Sequence, residues 1–376
     1  MSDAAVVIEE GTITWVGKRS RAPKTPKGER SRTLETGGRF LLPGLINCHA
    51  HLTFDGSADF ASESRQEPAL GTLKAFRNAR ALLRAGVTTV RDLGANGTMV
   101  IELARAIEGG VVEGPRIVAA GRGLTSTGGH GREIGRVADG VDEMRKAARE
   151  QVAAGASVIK IFSTGGVVGE GAGPEVSQYS VEETRAAVEE AHRFGLRATT
   201  HAHGAAGMRV AAEAGIDSIE HSTLLDQQTI RLLKEKDVAI VPTFSALRAI
   251  LDNAASLPAQ LNERARAVAA HHQQSVRDAR KAGVRIACGT DSGTPFNRHE
   301  RYALELVYLT EAGLTREEAL VSATSGAAEV IGRPNAGRIG EGSCADFVFV
   351  DGDPLKDLET LTKPKAVWIR GAPAAF

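Results

Sequence analysis

Short apolar runs, each followed by a polar residue or a glycine, recur along most of the chain. Their content of Val, Ile, Leu and Thr is typical of buried β-strands. We therefore predict strands at Leu42–His51, Val87–Leu93, Arg116–Gly123, Ser157–Phe162, Arg197–His203, Ser218–Ser222, Ala239–Phe244 and Arg285–Asp291.

Segments rich in Ala, Glu, Arg and Leu separate these runs and have a helical pattern of apolar positions. Helices are predicted at Leu70–Arg84, Met99–Ile107, Asp142–Ala154, Val181–Phe194, Ala205–Ala214, Gln227–Lys236 and Leu261–Ala282. Several end in Ala-Gly just before the next strand, as at Gly155 and Gly215. A glycine there can adopt the left-handed conformation that ends a helix.

Alternating buried strands and helices predict an α/β protein, and eight such strands favour a (β/α)8 TIM barrel over an open doubly wound sheet. The two chain ends differ from this pattern, because their strands are short and separated by Gly, Pro, Asp and Lys. These terminal strands are predicted at Ala5–Glu9, Thr12–Val16, Arg39–Leu42, Ala345–Val350 and Ala366–Ile369. We expect a small β-sandwich domain formed by residues 1–43 and 338–376 beside a barrel of residues 44–337.

The charge balance points to small-molecule partners. Among 376 residues, Lys and Arg number 46 and Asp and Glu number 46, so the formal net charge is zero. This balance argues against nucleic-acid or anionic-membrane binding, and the basic run Lys18–Arg32 is expected to be a solvated loop without function. Three scattered cysteines and the lack of a signal-peptide pattern favour a cytoplasmic protein, and no apolar run is long enough to span a bilayer.

The candidate chemistry lies at the ends of the predicted strands. His49 and His51 are two residues apart, so both side chains project from the same face of a strand and can bind one metal ion. Lys160, His201, His221 and Asp291 occupy the same relative position on other strands. In a barrel these strand ends meet at one mouth, where TIM-barrel enzymes have their active sites.

Imidazole and carboxylate ligands suit Zn²⁺ or a similar divalent ion. Lys160 is the exception, because a buried cation without a carboxylate partner is costly and would repel metal ions. Carboxylation of its amine by CO₂ would convert it into an anionic bridge between two ions. The alternative interpretation is a lysine held in an ordinary salt bridge.

These motifs resemble those of the amidohydrolase superfamily. The runs that carry the resemblance are L-L-P-G-L-I-N-C-H-A-H-L, G-V-T-T-V-R-D-L-G, G-P-R-I-V-A-A-G-R-G-L-T-S-T-G-G-H-G, H-A-H-G, I-E-H-S, G-T-D-S-G-T-P-F and G-S-C-A-D-F-V-F-V-D-G-D-P-L. They are similar to the imidazolonepropionase-like branch, which holds metal-dependent Xaa-Pro dipeptidases, ochratoxin-hydrolysing amidases and thiocarbamate hydrolases. The similarity covers nearly the whole chain.

The resemblance implies a binuclear hydrolase with two divalent ions, expected to be Zn²⁺. It assigns the ligands of the first ion as His49, His51 and Asp291, those of the second as His201 and His221, and the bridge as carboxylated Lys160. His203 is the alternative to His201 and otherwise has a supporting role. Asp291 is also the implied catalytic residue, which takes a proton from metal-activated water and passes it to the leaving group.

The implied substrate is a small molecule with an amide, peptide or carbamate C–N bond, such as an N-acyl amino acid, a dipeptide or an ochratoxin-type amide. The alternatives are a cyclic amide or lactone hydrolase and a non-catalytic barrel. The family likeness also implies a homo-oligomer. Members usually have a further strand before the segment equivalent to residues 4–11, so an incomplete edge of the small domain is expected.

Three further positions bear on the substrate. His130 matches the branch and is a candidate substrate-binding residue, with an ordinary loop histidine as the alternative. Ala239 stands where dipeptidase members tend to have a tyrosine, which argues against a dipeptidase-type contact. The segment Ser163–Ser180 has five glycines between Gly165 and Gly173, which is typical of either a lid or a connector along the rim.

Overall fold

The computed structural model of the chain describes residues 3–24, 32–167 and 172–375. Part of the basic run Lys18–Arg32 and the middle of Ser163–Ser180 lie outside these ranges. The strands are β1 Ala4–Glu9, β2 Thr12–Lys18, β3 Phe40–Pro43, β4 Leu45–Ala50, β5 Val87–Asp92, β6 Arg116–Ala119, β7 Gly123–Thr125, β8 Gly135–Val137, β9 Val158–Phe162, β10 Arg197–Gly204, β11 Ser218–Leu224, β12 Ala239–Val241, β13 Phe347–Val350, β14 Ala366–Ile369 and β15 Ala372–Pro373. The α-helices are α1 Phe60–Ser64, α2 Pro68–Arg84, α3 Met99–Glu108, α4 Val141–Ala154, α5 Val181–Arg193, α6 Ala205–Ala214, α7 Gln227–Glu235, α8 Phe244–Asp252, α9 Ala259–Lys281, α10 Ala303–Glu311, α11 Arg316–Ser322 and α12 Ser325–Val330.

Parallel strands form two sheets in the middle of the chain. One has the order β12-β11-β10-β9-β7-β8 and the other the order β4-β5-β6. Backbone hydrogen bonds link them on one side, where Ser157 N donates to Ala119 O at 2.8 Å. On the other side the segment 285–292 connects them, and Ala287 N donates to Ile240 O at 2.9 Å. The predicted α/β class with parallel strands is confirmed.

Four predicted strands differ in detail. The run Ala239–Phe244 is a strand only over Ala239–Val241, because helix α8 begins at Phe244. The run Leu42–His51 is divided into β3 and β4, because the chain passes at Gly44 from the antiparallel sheet of β3 to the parallel sheet of β4. The run Arg116–Gly123 is divided into β6 and β7, which also belong to different sheets. The run Arg285–Asp291 is not a regular strand, but it has an isolated bridge between Ile286 and β12.

All seven predicted helices are present, Ala205–Ala214 with the predicted bounds and the other six with one or both ends shifted. The left-handed glycines Gly155 and Gly215 end α4 and α6, with φ of 98° and 91°. Helices α1, α8 and α10 to α12 were not predicted. Helix α8 directly follows Thr243, whose left-handed φ of 59° turns the chain out of β12. The apolar residues of this segment gave no indication of that change of direction. Within the described ranges, no helix combines the length and apolarity needed to cross a lipid bilayer.

The two chain ends pack against each other. Strands β1 and β2 form an antiparallel hairpin, and β3 joins an antiparallel sheet of order β15-β14-β13-β3. Ile13 N donates to Ser343 O at 2.9 Å, and the Ile13 side chain shares an apolar cluster with Phe347. Val367 packs on Leu83 of α2, so the terminal strands lie against a helix of the central α/β unit.

Apolar side chains of several parallel strands pack together in the core. Ile46 of β4, Val118 of β6 and Val158 of β9 belong to one buried cluster with Ala327 of α12. Ala239, the first residue of β12, lies in the same cluster. The side chain of Ala239 is therefore buried in the core, and the expected loss of a dipeptidase-type contact at this position stays a prediction.

Candidate metal and active site

The candidate residues lie at the carboxyl ends of the parallel strands. His49 is near the end of β4, Lys160 is in β9, His201 is in β10, His221 is in β11 and Asp291 follows the segment that bridges β12 and β4. Because neighbouring strands are parallel, these ends meet at one edge. All these side chains are buried, so the polar groups there face one another and not solvent.

His49, His51 and Asp291 form a first group. Oδ1 of Asp291 lies 3.2 Å from Nε2 of His49 and 3.3 Å from Nε2 of His51. No aligned hydrogen-bond donor reaches this buried oxygen in the described part of the chain. Nδ1 of His51 is 2.9 Å from the carbonyl oxygen of Gly94, which fixes the ring with Nε2 toward Asp291.

His201, His203 and His221 form a second group. One ring nitrogen of each lies within 4.8 Å of the others, and His221 is equally close to ligand atoms of His49 and Asp291. The two groups are therefore adjacent, and His221 links the second group to His49 and Asp291 of the first. The structure brings both His201 and His203 to this place, so the choice between them stays a prediction.

Hydroxyl groups orient two of these rings. Nδ1 of His221 is 2.7 Å from Oγ1 of Thr243, and Nδ1 of His203 is 2.9 Å from Oγ1 of Thr223. Burial, followed by the neighbouring imidazoles, lowers the pKa of His221 well below its usual value. A neutral imidazole with one nitrogen held in this way offers its other nitrogen as a metal ligand.

Lys160 lies next to both groups without a salt-bridge partner. Its side chain is 1% exposed, and none of the described carboxylates lies within 4.0 Å of Nζ. Burial lowers the pKa of Lys160 to about 8, against the opposing charges of Glu220 and Asp291. The alternative interpretation of Lys160 as an ordinary salt-bridged lysine therefore has no support in the structure.

Three residues of the site have left-handed backbone conformations. The φ angles are 69° at His221, 59° at Thr243 and 54° at Asp291. Such angles are uncommon for residues other than glycine, and they concentrate where surrounding structure holds a functional side chain in place. Glu305 supports this arrangement, because its carboxylate accepts hydrogen bonds from the backbone N–H groups of Phe244 and Ser245 at the start of α8, directly after Thr243.

Sequence reasoning missed the buried pair of Arg91 and Glu220. Glu220 immediately precedes His221 in I-E-H-S, and Arg91 is in the G-V-T-T-V-R-D-L-G run. The motifs contained both residues, but a strand alternates its side chains between two faces, so Glu220 was not expected at the site. The structure places Oε2 of Glu220 2.9 Å from Nδ1 of His49.

His130 contacts the second group. Its ring centroid is 4.5 Å from that of His201 and 5.5 Å from that of Phe162. A Cβ atom at Gly166 would lie 2.3 Å from the His130 ring. The backbone after β9 therefore packs so close to this histidine that only glycine fits at position 166. Binding of substrate by His130 stays a prediction, as does a lid role for Ser163–Ser180, because residues 168–171 are outside the described ranges.

A cavity of about 690 Å³ opens beside this edge of the sheets. It is formed by the loop after His51, including Asp55 and Ser57, and by the loop after Asp291, including Phe296 and Arg298. None of the candidate site residues lines it. We therefore take the converging histidines, and not this cavity, as the centre of the site.

Comparison with known proteins identifies the family. A family model described as "Amidohydrolase family" matches residues 40–373. The chain belongs to the amidohydrolase family. Ochratoxinase of Aspergillus niger is 34% identical over 400 residues, which cover 98% of this chain and 81% of that protein. Imidazolonepropionase of Salinispora tropica is 27% identical over 382 residues, which cover 93% of this chain and 86% of that protein.

Solved structures agree with this result. The crystal structure of A. niger ochratoxinase aligns with a TM-score of 0.89 at 32% identity, covering 98% of this chain and 91% of that one. A crystal structure of a Xaa-Pro dipeptidase with bound methionine in the active site aligns with a TM-score of 0.89 at 30% identity, covering 99% and 95%. The predicted branch is confirmed, and this amidohydrolase is an enzyme that hydrolyses carbon–nitrogen bonds. Amidohydrolases generally depend on metal ions and act on small molecules.

Proposed function

We propose that this amidohydrolase uses two divalent metal ions to hydrolyse an amide, peptide or carbamate bond in a small molecule. The substrate classes are N-acyl amino acids, dipeptides and ochratoxin-type amides, in keeping with the ochratoxinase and Xaa-Pro dipeptidase among its relatives. One observation carries the proposal: the buried ring of His221 lies within 4.8 Å of ligand atoms of His201 and His203 on one side and of His49 and Asp291 on the other.

The donor atoms fit divalent ions. Oδ1 of Asp291 is buried with no aligned donor in the described chain, while Nε2 atoms of His49 and His51 converge on it. Cations would satisfy these acceptors, and imidazole with carboxylate is a ligand set that suits Zn²⁺. In this proposal the first ion is held by His49, His51 and Asp291, and the second by His201 and His221.

Lys160 would bridge the two ions after carboxylation. Its neutral amine nitrogen forms a bond to the carbon of CO₂, one C=O π bond opens onto oxygen, and the nitrogen releases one proton, which gives an anionic carbamate with two oxygen ligands. Counted from the protonated lysine, two protons are released. Two features favour this reaction. Burial lowers the pKa of Lys160 to about 8, so that a neutral amine is accessible near pH 7, and no described carboxylate within 4.0 Å holds it as a cation.

The protein side chains have separate tasks in the proposed reaction. Bound divalent ions supply Lewis acidity, which lowers the pKa of water and polarises a carbonyl group. Asp291 accepts the proton of the attacking water at a carboxylate oxygen and donates it to the leaving nitrogen. His130, beside His201, contacts the substrate. Water attacks the carbonyl carbon directly, so no covalent bond to the enzyme forms.

The finer architecture is also a proposal. We propose that residues 44–337 form a closed (β/α)8 barrel, supported by the hydrogen bonds of Ser157 to Ala119 and of Ala287 to Ile240. Residues 1–43 and 338–376 then form one small β-sandwich domain, supported by their shared apolar cluster. Zinc as the native metal, a homo-oligomeric state and a cytoplasmic location stay predictions.

A metal-dependent substrate screen tests the function. Metal-depleted protein is reloaded with zinc and assayed with N-acyl amino acids, Xaa-Pro and other dipeptides, an ochratoxin-type amide, aryl carbamates and lactones. We expect release of amine from at least one C–N substrate only after reloading. If only lactones are hydrolysed, the proposed C–N bond cleavage is wrong and the alternative, a lactone hydrolase, is supported. A folded protein that binds no zinc would refute the binuclear site.

A further inference from the structure

Arg91 and Glu220 form a fully buried ion pair behind His49. Arg91 is on β5 and Glu220 is on β11, and both side chains are 0% exposed. A guanidinium nitrogen of Arg91 lies 2.8 Å from Oε1 of Glu220. Neither residue has a part in the reaction proposed above, so the pair requires its own explanation.

The pair reaches β4 at two adjacent residues. Nε of Arg91 donates to the carbonyl oxygen of Cys48 at 2.6 Å, and a terminal nitrogen donates to Oγ of Ser218 at 3.1 Å. Oε2 of Glu220 lies 2.9 Å from Nδ1 of His49. Although this contact is at ion-pair distance without aligned hydrogen-bond geometry, neither atom has another partner in the described chain. The pair therefore contacts both the backbone before His49 and the His49 ring.

Stability alone is a poor reason for this arrangement. Removing two charges from water is expensive, and replacing a buried ion pair with apolar side chains of similar volume is often neutral or stabilising. The guanidinium of Arg91, 2.8 Å from Oε1, balances the charge of the buried Glu220 carboxylate. The other oxygen, Oε2, faces Nδ1 of His49 and can accept a hydrogen bond from it.

We propose that Arg91 and Glu220 are positioning residues for His49. Glu220 accepts the proton of His49 Nδ1, which leaves the lone pair of Nε2 free on the side where Asp291 lies, and Arg91 fixes the carboxylate relative to β4. A carboxylate behind a metal-binding histidine sets its tautomer and ring orientation and increases its basicity. This inference rests on the proposed function, because His49 must be a ligand of the first ion.

The main variant removes both charges of the pair together. The double variant Arg91→Met/Glu220→Met replaces both side chains with flexible apolar ones, and Glu220→Gln is a second variant that keeps the volume if the double variant does not fold. The matched control is Glu190→Gln, because Glu190 is also a buried carboxylate, 2.9 Å from Arg149, but it is on α5. Folding is followed by circular dichroism, and zinc affinity by competition with a chelator.

We expect the folded double variant to hold one of its two zinc ions about 10- to 100-fold more weakly than wild type, as for loss of other groups that orient metal ligands. Glu190→Gln should hold both ions normally. Imidazole nitrogen chemical shifts, assigned by comparison with His49→Gln, should show the proton on Nδ1 of His49 in zinc-loaded wild type and a changed shift in Glu220→Gln.

Two results separate the inference from the proposed function. If wild type binds two zinc ions and the folded Arg91→Met/Glu220→Met variant binds both with unchanged affinity, the pair is only structural and the inference is overturned. If wild type binds no zinc, the proposed function itself fails. A loss of zinc affinity in Glu190→Gln of the same size would also overturn the inference, because the effect would then be a general one.

Discussion

Replacing Asp291 with asparagine separates metal binding from proton transfer. Asp291→Asn keeps the size of the side chain and suits its left-handed φ of 54°, because asparagine adopts this conformation more readily than most residues. The amide oxygen can still contribute to the ion site formed with His49 and His51, because it takes the place of Oδ1, which lies 3.2 and 3.3 Å from their Nε2 atoms. The amide cannot accept a proton at neutral pH, so the proposed general base is lost.

The expected loss follows from this change. The charges of His49, His51 and Lys160 outweigh burial and keep the pKa of Asp291 below its usual value, so wild type presents an ionised carboxylate at neutral pH. A positioned general acid and base accelerates reactions by about 10²- to 10⁴-fold. The variant should therefore lose kcat by about that factor, which is about 3–5 kcal/mol of activation free energy.

The assay compares kcat on the best substrate with zinc content in the same preparations. Asp237→Asn is a close control, because Asp237 has the same φ of 54° but its exposed side chain pairs with Arg285. Asp291→Asn should retain zinc and lose turnover, whereas Asp237→Asn should change neither. If zinc-replete Asp291→Asn turns over substrate at nearly the wild-type rate, Asp291 is not the proton acceptor.

Three other changes test separate parts of the site. Elemental analysis of Lys160→Ala should show the loss of at least one zinc ion, because the proposed bridge is removed. Lys234→Ala, at an exposed lysine, should keep its zinc. Unchanged zinc content in Lys160→Ala would exclude the bridge. Gly289→Ala places a Cβ atom 2.9 Å from His49 N, and overpacking of this kind should lower the free energy of urea unfolding by about 1–3 kcal/mol. Gly173→Ala is the control, because the space around Gly173 is open. Equal unfolding free energies of the two variants would contradict the reasoning. Burial raises the pKa of Glu305 from 4.5 to about 7, so between these values the folded chain binds a proton that the unfolded chain has released, and wild-type stability declines as pH rises. The stability of Glu305→Gln relative to wild type should therefore increase by up to about 3 kcal/mol from pH 5 to pH 8, and parallel unfolding curves would show that Glu305 does not titrate there.

The sequence alone was sufficient for the α/β class and for most of the candidate residues. Apolar runs and helical periods are local properties, and the direction of parallel strands puts all their carboxyl ends at one edge. His49, His51, Lys160, His221 and Asp291 were therefore predicted together, although 242 positions separate the first from the last. The interruption at Gly44 and the irregular segment 285–291 were not foreseen, because their pairing depends on distant strands.

Only the tertiary structure revealed what holds these side chains in position. Glu220 contacts His49, Arg91 contacts the backbone of Cys48, and Thr243 orients His221 through contacts between separate strands. Such contacts depend on strand register and on the path of the chain inside the sheets, and a pattern within one segment carries neither. Local sequence determined which chemical groups reach the site, and long-range packing determined their orientation and the charges behind them.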